Sequence, residues 1–161
     1  MTLVGPKRSI EGVRVLGPVR SKNQIEISRT DEFFLGVDAP VRASGHTENT
    51  PGITLIGDGG RQVDLFHGVI CALRHIHMTP EDAARFGVGN GDYVEVEVGG
   101  DSGRSLTFGD VLVRVKSTYS LEMHIDTDEG NAAELKGRDL GVLAETSGAA
   151  RLKRASAKSV G

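Results

Sequence analysis

Residues 72–96 read ALRHIHMTPEDAARFGVGNGDYVEV, and this stretch decides the fold class. Its first part alternates apolar and polar side chains with a period of two, the pattern of a half-buried strand. Thr79-Pro80-Glu81-Asp82 then supplies an N-cap threonine, a proline at the first helical position and an acid at the third, and Gly87 stops the short helix. A second period-two run, YVEVEV, begins at Tyr93. The unit is therefore a strand, a capped short helix, a glycine and another strand. Working outward, similar runs occur at residues 12–16 (GVRVL), 24–28 (QIEIS), 53–56 (ITLI), 69–78 (VICALRHIHM), 111–115 (VLVRV) and 121–126 (LEMHID), with Gly, Pro, Asn or Asp in most of the gaps. A second capped turn starts at Ser28-Arg29-Thr30-Asp31 and stops at Gly36, and residues 127–135 are expected to form a third. The chain is predicted to be mostly β, with few and short helices.

The length of 161 residues suits one domain or two very small ones, and 38% hydrophobic with 25% charged residues is an ordinary globular composition. Twenty-two glycines and no tryptophan fit many short strands joined by tight turns. No apolar run approaches the ~20 residues of a membrane span, which argues against a membrane partner. The first twenty residues lack the apolar core of a secretory signal, and Cys71 is the only cysteine, so a reducing, cytosolic setting is expected. Cys71 lies between Ile70 and Ala72 in an apolar run and reads as a core residue. The net charge of −3 is uneven: the tail from Arg151 onward carries four basic residues and no acid, leaving 15 basic against 22 acidic residues in positions 1–150, a net of −7. A body that acidic argues against nucleic acid as a partner, and any positive charge used to hold an anion must be local.

An internal repeat organises the chain. Thr2-Leu3-Val4-Gly5 returns as Thr54-Leu55-Ile56-Gly57, and Gln24-Ile25-Glu26-Ile27-Ser28 with Asp31, Gly36 and Val37 returns 51 residues later as His75-Ile76-His77-Met78-Thr79 with Asp82, Gly87 and Val88. Two copies of such a unit would close a pair of pseudo-repeated small β-barrels, and the corner from Asp82 to Val94 resembles that of double-psi barrels. The expected organisation is residues 1–67 as part of one barrel, residues 68–145 as the second barrel segment, and residues 146–161 as a basic, disordered tail.

His75 and His77 lie two apart in a strand, so both imidazoles leave the same face. In a second period-two run, Glu122, His124 and Asp126 share one face. Three histidines on converging strand faces have the pattern of a catalytic metal site with an open position. His-x-His alone is a weak motif, and the same residues could be hydrogen-bonded strand histidines. At the repeat offset Glu26 occupies the position of His77, where a carboxylate could serve a second ion. Arg20 could hold a phosphate bidentately, although an isolated arginine is more often a surface partner for an acid. His46 and His67 lie beside glycines in expected loops and read as exposed.

Together GPVRSKNQIEIS, SGHTENTPGITLIG, RHIHM and EMHIDTDEGNAA are very similar to the phosphate propanoyltransferases, the phosphotransacylases of propanediol-utilising bacterial microcompartments, over roughly residues 2–135. The resemblance implies two linked β-barrels with a two-metal site at their junction and transfer of a short acyl group, propanoyl or acetyl, between coenzyme A and inorganic phosphate. It implies that His75, His77 and His124 bind one metal, zinc being the expected ion, that Glu26 is a ligand of the other, and that Arg20 contacts phosphate. The family pattern also includes a His-x-His pair before the matched segment. The chain starts at Met1-Thr2-Leu3, in the middle of that pattern, so the barrels are expected to be incomplete at the N-terminus and the transacylase activity of this chain alone weak or absent.

The expected partners are acyl-CoA and phosphate. Unpaired edges of an unclosed barrel would favour a homodimer. The resemblance also suggests cargo of a bacterial microcompartment, although no encapsulating amphipathic helix is visible. Two other readings stay open: a non-catalytic module binding metal or a CoA-like ligand, and a mononuclear metal hydrolase with Glu122 or Asp126 as base, which explains neither Arg20 nor the repeat.

Overall fold

The computed structural model describes residues 1–17, 19–99 and 103–144; the basic tail, residues 146–161, lies outside them. Of the described residues, 34% are in strands and 14% in helices, so the chain is mostly β. The strands are β1 (Thr2–Val4), β2 (Ser9–Ile10), β3 (Ile25–Glu26), β4 (Val41–Arg42), β5 (Ile53–Ile56), β6 (Gln62–Leu65), β7 (Val69–Ala72), β8 (His75–Met78), β9 (Tyr93–Val98), β10 (Leu106–Val115), β11 (Glu122–His124) and β12 (Val142–Ala144). Three helices, α1 (Arg29–Leu35), α2 (Pro80–Phe86) and α3 (Thr127–Ala132), follow β3, β8 and β11. No described helix is long and apolar enough to cross a membrane.

The three helices begin in the same way. Ser28, Thr79 and Asp126 are N-caps whose side chains accept from the N3 amide, while Asp31, Asp82 and Glu129 reach back to the N-cap amide. These capping boxes satisfy two otherwise orphaned donors at each helix start. α1 and α2 also end alike, on Gly36 at φ 76° and Gly87 at φ 67°, where a left-handed backbone strongly favours glycine. The unit read as a pair in the sequence is thus followed by a third relative, which ends on Ala133 instead of a left-handed glycine. Glu26, His77 and His124 each stand two residues before their N-cap, so the same local geometry carries all three.

The strands form three sheets. β2-β1-β5-β6 is antiparallel, β3-β7-β4 is parallel, and β11-β8-β10-β9-β12 is mixed, with β8 and β10 parallel. Two cores result. Leu3, Ile25, Ile27, Leu35, Val37, Ala39, Ile53 and Val69 pack in one. The other contains Ile76, Met78, Ala83, Val94, Val96, Val98, Phe108, Val111, Val113 and Ala133. The two closed barrels expected from the repeat are not seen among the described residues, where every sheet is open. β3 and β4 are each two residues long and pair only with β7, too short to carry a sheet around into closure.

Two further differences have clear causes. Residues 12–16 form no strand: Val13 bonds Met1 through its N–H, but Val15 and Leu16 stand 73% and 78% exposed, with no neighbouring strand to pair them. The single run at 69–78 is two strands in two sheets. β7 joins β3 and β4, just beyond the boundary expected after residue 67, and the chain passes at Leu73 and Arg74 into β8. Leu73 N–H still donates to Arg42, whereas the Arg74 carbonyl accepts from Leu112 in the five-stranded sheet.

β10 carries a register shift between Phe108 and Val111, with Asp110 at φ 52°. Phe108, Val111 and Val113 all face the core, which a regular alternation forbids. The bulge reverses the parity, so Leu112 and Arg114 leave the opposite face from Val111 and Val113. Asp110→Val is expected to lose about 1–2 kcal/mol of stability in urea unfolding, because a β-branched residue strains the left-handed backbone, while Asp110→Gly is expected to stay near wild type.

Candidate metal centre

The alternation of β8 sorts its side chains between core and site. Ile76 and Met78 are buried in the second core, and His75 and His77 leave the other face. β11 lies antiparallel to β8 with His124 opposite His75 and Glu122 opposite His77. On the other flank the parallel β10 sets Leu112 beside His75 and Arg114 beside His77. The potential ligand atoms of His75, His77 and His124 all lie within 4.8 Å of one another, and this group could hold a metal ion.

The surroundings fit neutral imidazoles with free lone pairs. His75 Nδ1 is 2.9 Å from the Leu73 carbonyl. A carbonyl only accepts, so Nδ1 carries the proton and Nε2 is left as the ligand atom, the outer hydrogen bond that commonly orients a metal-binding histidine. His77 Nε2 and His124 Nε2 are buried and have no hydrogen-bond partner. An unsatisfied buried polar atom costs about 1–3 kcal/mol, and a shared divalent ion would satisfy both. Burial holds the His77 imidazole down at about 4, with His124, His75 and Arg114 adding repulsion, and burial also lowers His75. Tyr119 stacks on His77, ring centroids 4.0 Å apart and planes at 19°.

The first half of the chain supplies the opposite wall. Gln24 Nε2 donates to Glu26 Oε1 at 2.6 Å and to Ser44 Oγ at 2.8 Å, Gln24 Oε1 accepts from Gly45 N–H, and Arg20 Nη1 donates to Ser44 Oγ at 3.1 Å. Arg20 and Glu26, separate candidates in the sequence, are thus joined through Gln24 and Ser44. The Glu26 carboxylate lies near enough to His75 to favour its charged form, against the larger effect of burial. A cleft of about 260 Å³ separates the walls, lined by Ser44 and His46 on one side and by Asn90, Arg114, Lys116 and Tyr119 on the other. His46 is exposed at its rim and His67 is exposed elsewhere. Cys71 is 4% exposed and its thiol is pushed up to about 11, by burial first and by Asp126 second.

The phosphate propanoyltransferase family model matches residues 1–136. The chain belongs to the phosphate propanoyltransferase family. It is 56% identical over 146 residues to the phosphate propanoyltransferase of Thermotoga maritima, covering 90% of this chain and 68% of that protein. Against those of Limosilactobacillus reuteri and Citrobacter freundii the identity is 52% and 55% over 133 residues, covering 83% of this chain and 61% and 62% of theirs. The chain therefore spans roughly two thirds of the length of the curated relatives it matches. Sequence reasoning missed Arg114, Ser44 and Tyr119. A lone arginine in the apolar run VLVRV was a usable signal for Arg114. Nothing in the sequence marks Ser44 or Tyr119, which arrive from loops.

Between pH 6.5 and about 4, the unfolded chain binds a proton at His77 that the folded chain refuses, so metal-free stability is expected to fall as pH drops through this window. Urea midpoints measured from pH 7 to 5 should show that decline, and His77→Gln should flatten it. Titration with Co(II) is expected to give one tightly held ion per chain, lost in His124→Ala.

Proposed function

We propose that this chain carries the centre of a phosphotransacylase in which acyl-CoA and phosphate give acyl phosphate and CoA, the acyl group being short, propanoyl or acetyl. The observation that carries the proposal is the cleft itself, with Arg114 and Lys116 in its lining, the three-histidine group beside Arg114, and Arg20 bonded to Ser44 on the other wall. The relatives are named for propanoyl transfer to phosphate, which supports the substrate class.

In this reading a phosphate oxygen attacks the thioester carbonyl, the C–S bond breaks, and the sulfur leaves as the CoA thiolate. Arg20 and Arg114 would collect the phosphate from opposite walls and neutralise its charge, which matters in a body of net charge −7 for residues 1–150. Ser44 and Gln24, already bonded to Arg20 and Glu26, would orient it. Tyr119 would cover His77 and keep water from the reacting carbonyl. His75, His77 and His124 would hold a divalent ion such as zinc, which would supply Lewis acidity favouring the thiolate form of the departing sulfur. Glu26 would serve as a carboxylate ligand for a second ion. Cys71, buried and protonated at neutral pH, takes no covalent part.

We read the halves as related, repeated units, supported by the matched capping boxes and glycine stops of α1 and α2. The free sheet edges support a homodimer. We read the setting as the cytosol or a bacterial microcompartment, a reading that the family resemblance supports.

The test is release of CoA thiol from propanoyl-CoA or acetyl-CoA with zinc present. Release that requires phosphate and yields acyl phosphate supports the proposal. Phosphate-independent release would instead identify a thioester hydrolase, and metal binding without release a non-catalytic module. Arg20→Lys is expected to lower kcat/KM for phosphate by about ten- to a hundredfold, since a bidentate charge-assisted contact contributes roughly 1.5–3 kcal/mol.

A further inference from the structure

The two walls of the cleft come from segments that share few sheet contacts, because Ser44, Gln24 and Glu26 sit with the parallel β3-β7-β4 sheet and the histidines with the five-stranded one. One polar contact ties the capped units of the two walls directly. Asp128, in the first turn of α3, accepts from the Thr30 amide in the first turn of α1 through Oδ2 at 2.8 Å, across 98 residues of sequence. Thr30 N–H is one of the donors that a helix start leaves unsatisfied. The α1 capping box fills the Asp31 amide from Ser28, and Asp128 fills Thr30 from the other half of the chain.

The bridge lies close to the site in chain terms. α1 directly follows Glu26 and α3 directly follows His124, each residue two positions before its N-cap. Joining the first turns of these helices sets one capped unit against the other. A second contact supports the same seam: the Cys71 thiol on β7 points to Asp126 Oδ2, the α3 N-cap, at 3.8 Å. Glu129 in the same turn is half-buried and pairs with Arg74 at 3.0 Å, where the chain passes between sheets. Asp126 and Glu129 are engaged in their own capping box, so Asp128 is the acid of this turn that reaches across to α1.

We propose that Asp128 is a positioning residue, which holds the Arg20–Ser44–Gln24–Glu26 wall against the three-histidine wall by capping α1 from α3. It touches neither metal nor substrate in this assignment and acts through the placement of Glu26 and Arg20. Its kinetic consequence rests on the transacylase reading; its geometric consequence does not.

The test uses the full chain with nitroxide labels at Asp38→Cys and Glu97→Cys, exposed positions on the two halves, while the buried Cys71 stays unlabelled. Pulsed electron spin resonance is expected to give a narrow distance distribution in the parent and a broadened or shifted one in Asp128→Ala. Asp128→Asn, which keeps an acceptor oxygen, should restore most of the parent distribution. In the unlabelled chain, Asp128→Ala should raise KM for phosphate on the order of tenfold, since a small misplacement of an orienting group is costly. Co(II) binding by the three histidines, which need only β8 and β11, should not change. An unaltered distance distribution in a folded Asp128→Ala chain overturns the proposal, as does equal loss in the Asn and Ala variants. A broadened distribution in Asp128→Ala, beside a narrow one in a parent that shows no phosphate-dependent turnover, would sink the transacylase reading and leave Asp128 as the tie between the walls.

Discussion

Everything about the site depends on where the chain leaves one sheet and enters another. At Leu73 and Arg74 the backbone stops pairing with the first half and starts pairing with the second: the Leu73 amide still donates to Arg42, and the Arg74 carbonyl already accepts from Leu112. The Leu73 carbonyl is released from the strand ladders at that point and accepts from His75 Nδ1 instead. One peptide thus changes the sheet and sets the tautomer of the first histidine. A continuous strand through this point would have engaged that carbonyl in a ladder and left the ring orientation to chance.

Three imidazoles packed within van der Waals reach would be an unusual way to build a stable core. Two of them bury a nitrogen with no protein partner, and burial together with mutual repulsion opposes protonation. These are costs of about 1–3 kcal/mol for each unsatisfied atom, carried by a sheet whose other face is a well-packed core of Ile76, Met78 and Val113. A bound cation turns the same arrangement from unsatisfied to satisfied, which is the physical sense in which the nest is preorganised. Arg114 opposes charging of His77 and lines the adjacent cleft with positive charge, so its position favours neutral imidazoles and an anion beside them at once.

The capped units were legible because their signals are local. Ser28, Thr79 and Asp126 with an acid three residues on, and glycine at positions 36 and 87, need no tertiary partner to be recognised. The pairing of His75 with His77 was legible for the same reason, since a strand period places them on one face. The residues 12–16 misled because alternation marks a chain that can form a strand, whereas a strand exists only when another strand is alongside. The run at 69–78 misled in the opposite way: periodicity continues across Leu73 and Arg74 while the hydrogen-bonding partners change, and partners leave no mark in one sequence. The bulge at Gly109 and Asp110 was equally hidden, although it decides that Arg114 faces the histidines rather than the core.

By itself the sequence determined the mostly β class, the helix caps, the burial of Cys71 and the identity of the three histidines, all consequences of short-range spacing and side-chain chemistry. Only the tertiary structure decided that His124 lies opposite His75, that Glu26 and Arg20 are joined through Gln24 and Ser44, and that Asp128 caps a helix 98 residues away. It also decided that the sheets stay open among the described residues. The physical reason is that side-chain periodicity is set within a strand, while register, bulges and cross-chain caps are set by which backbone groups find each other after the chain has folded back.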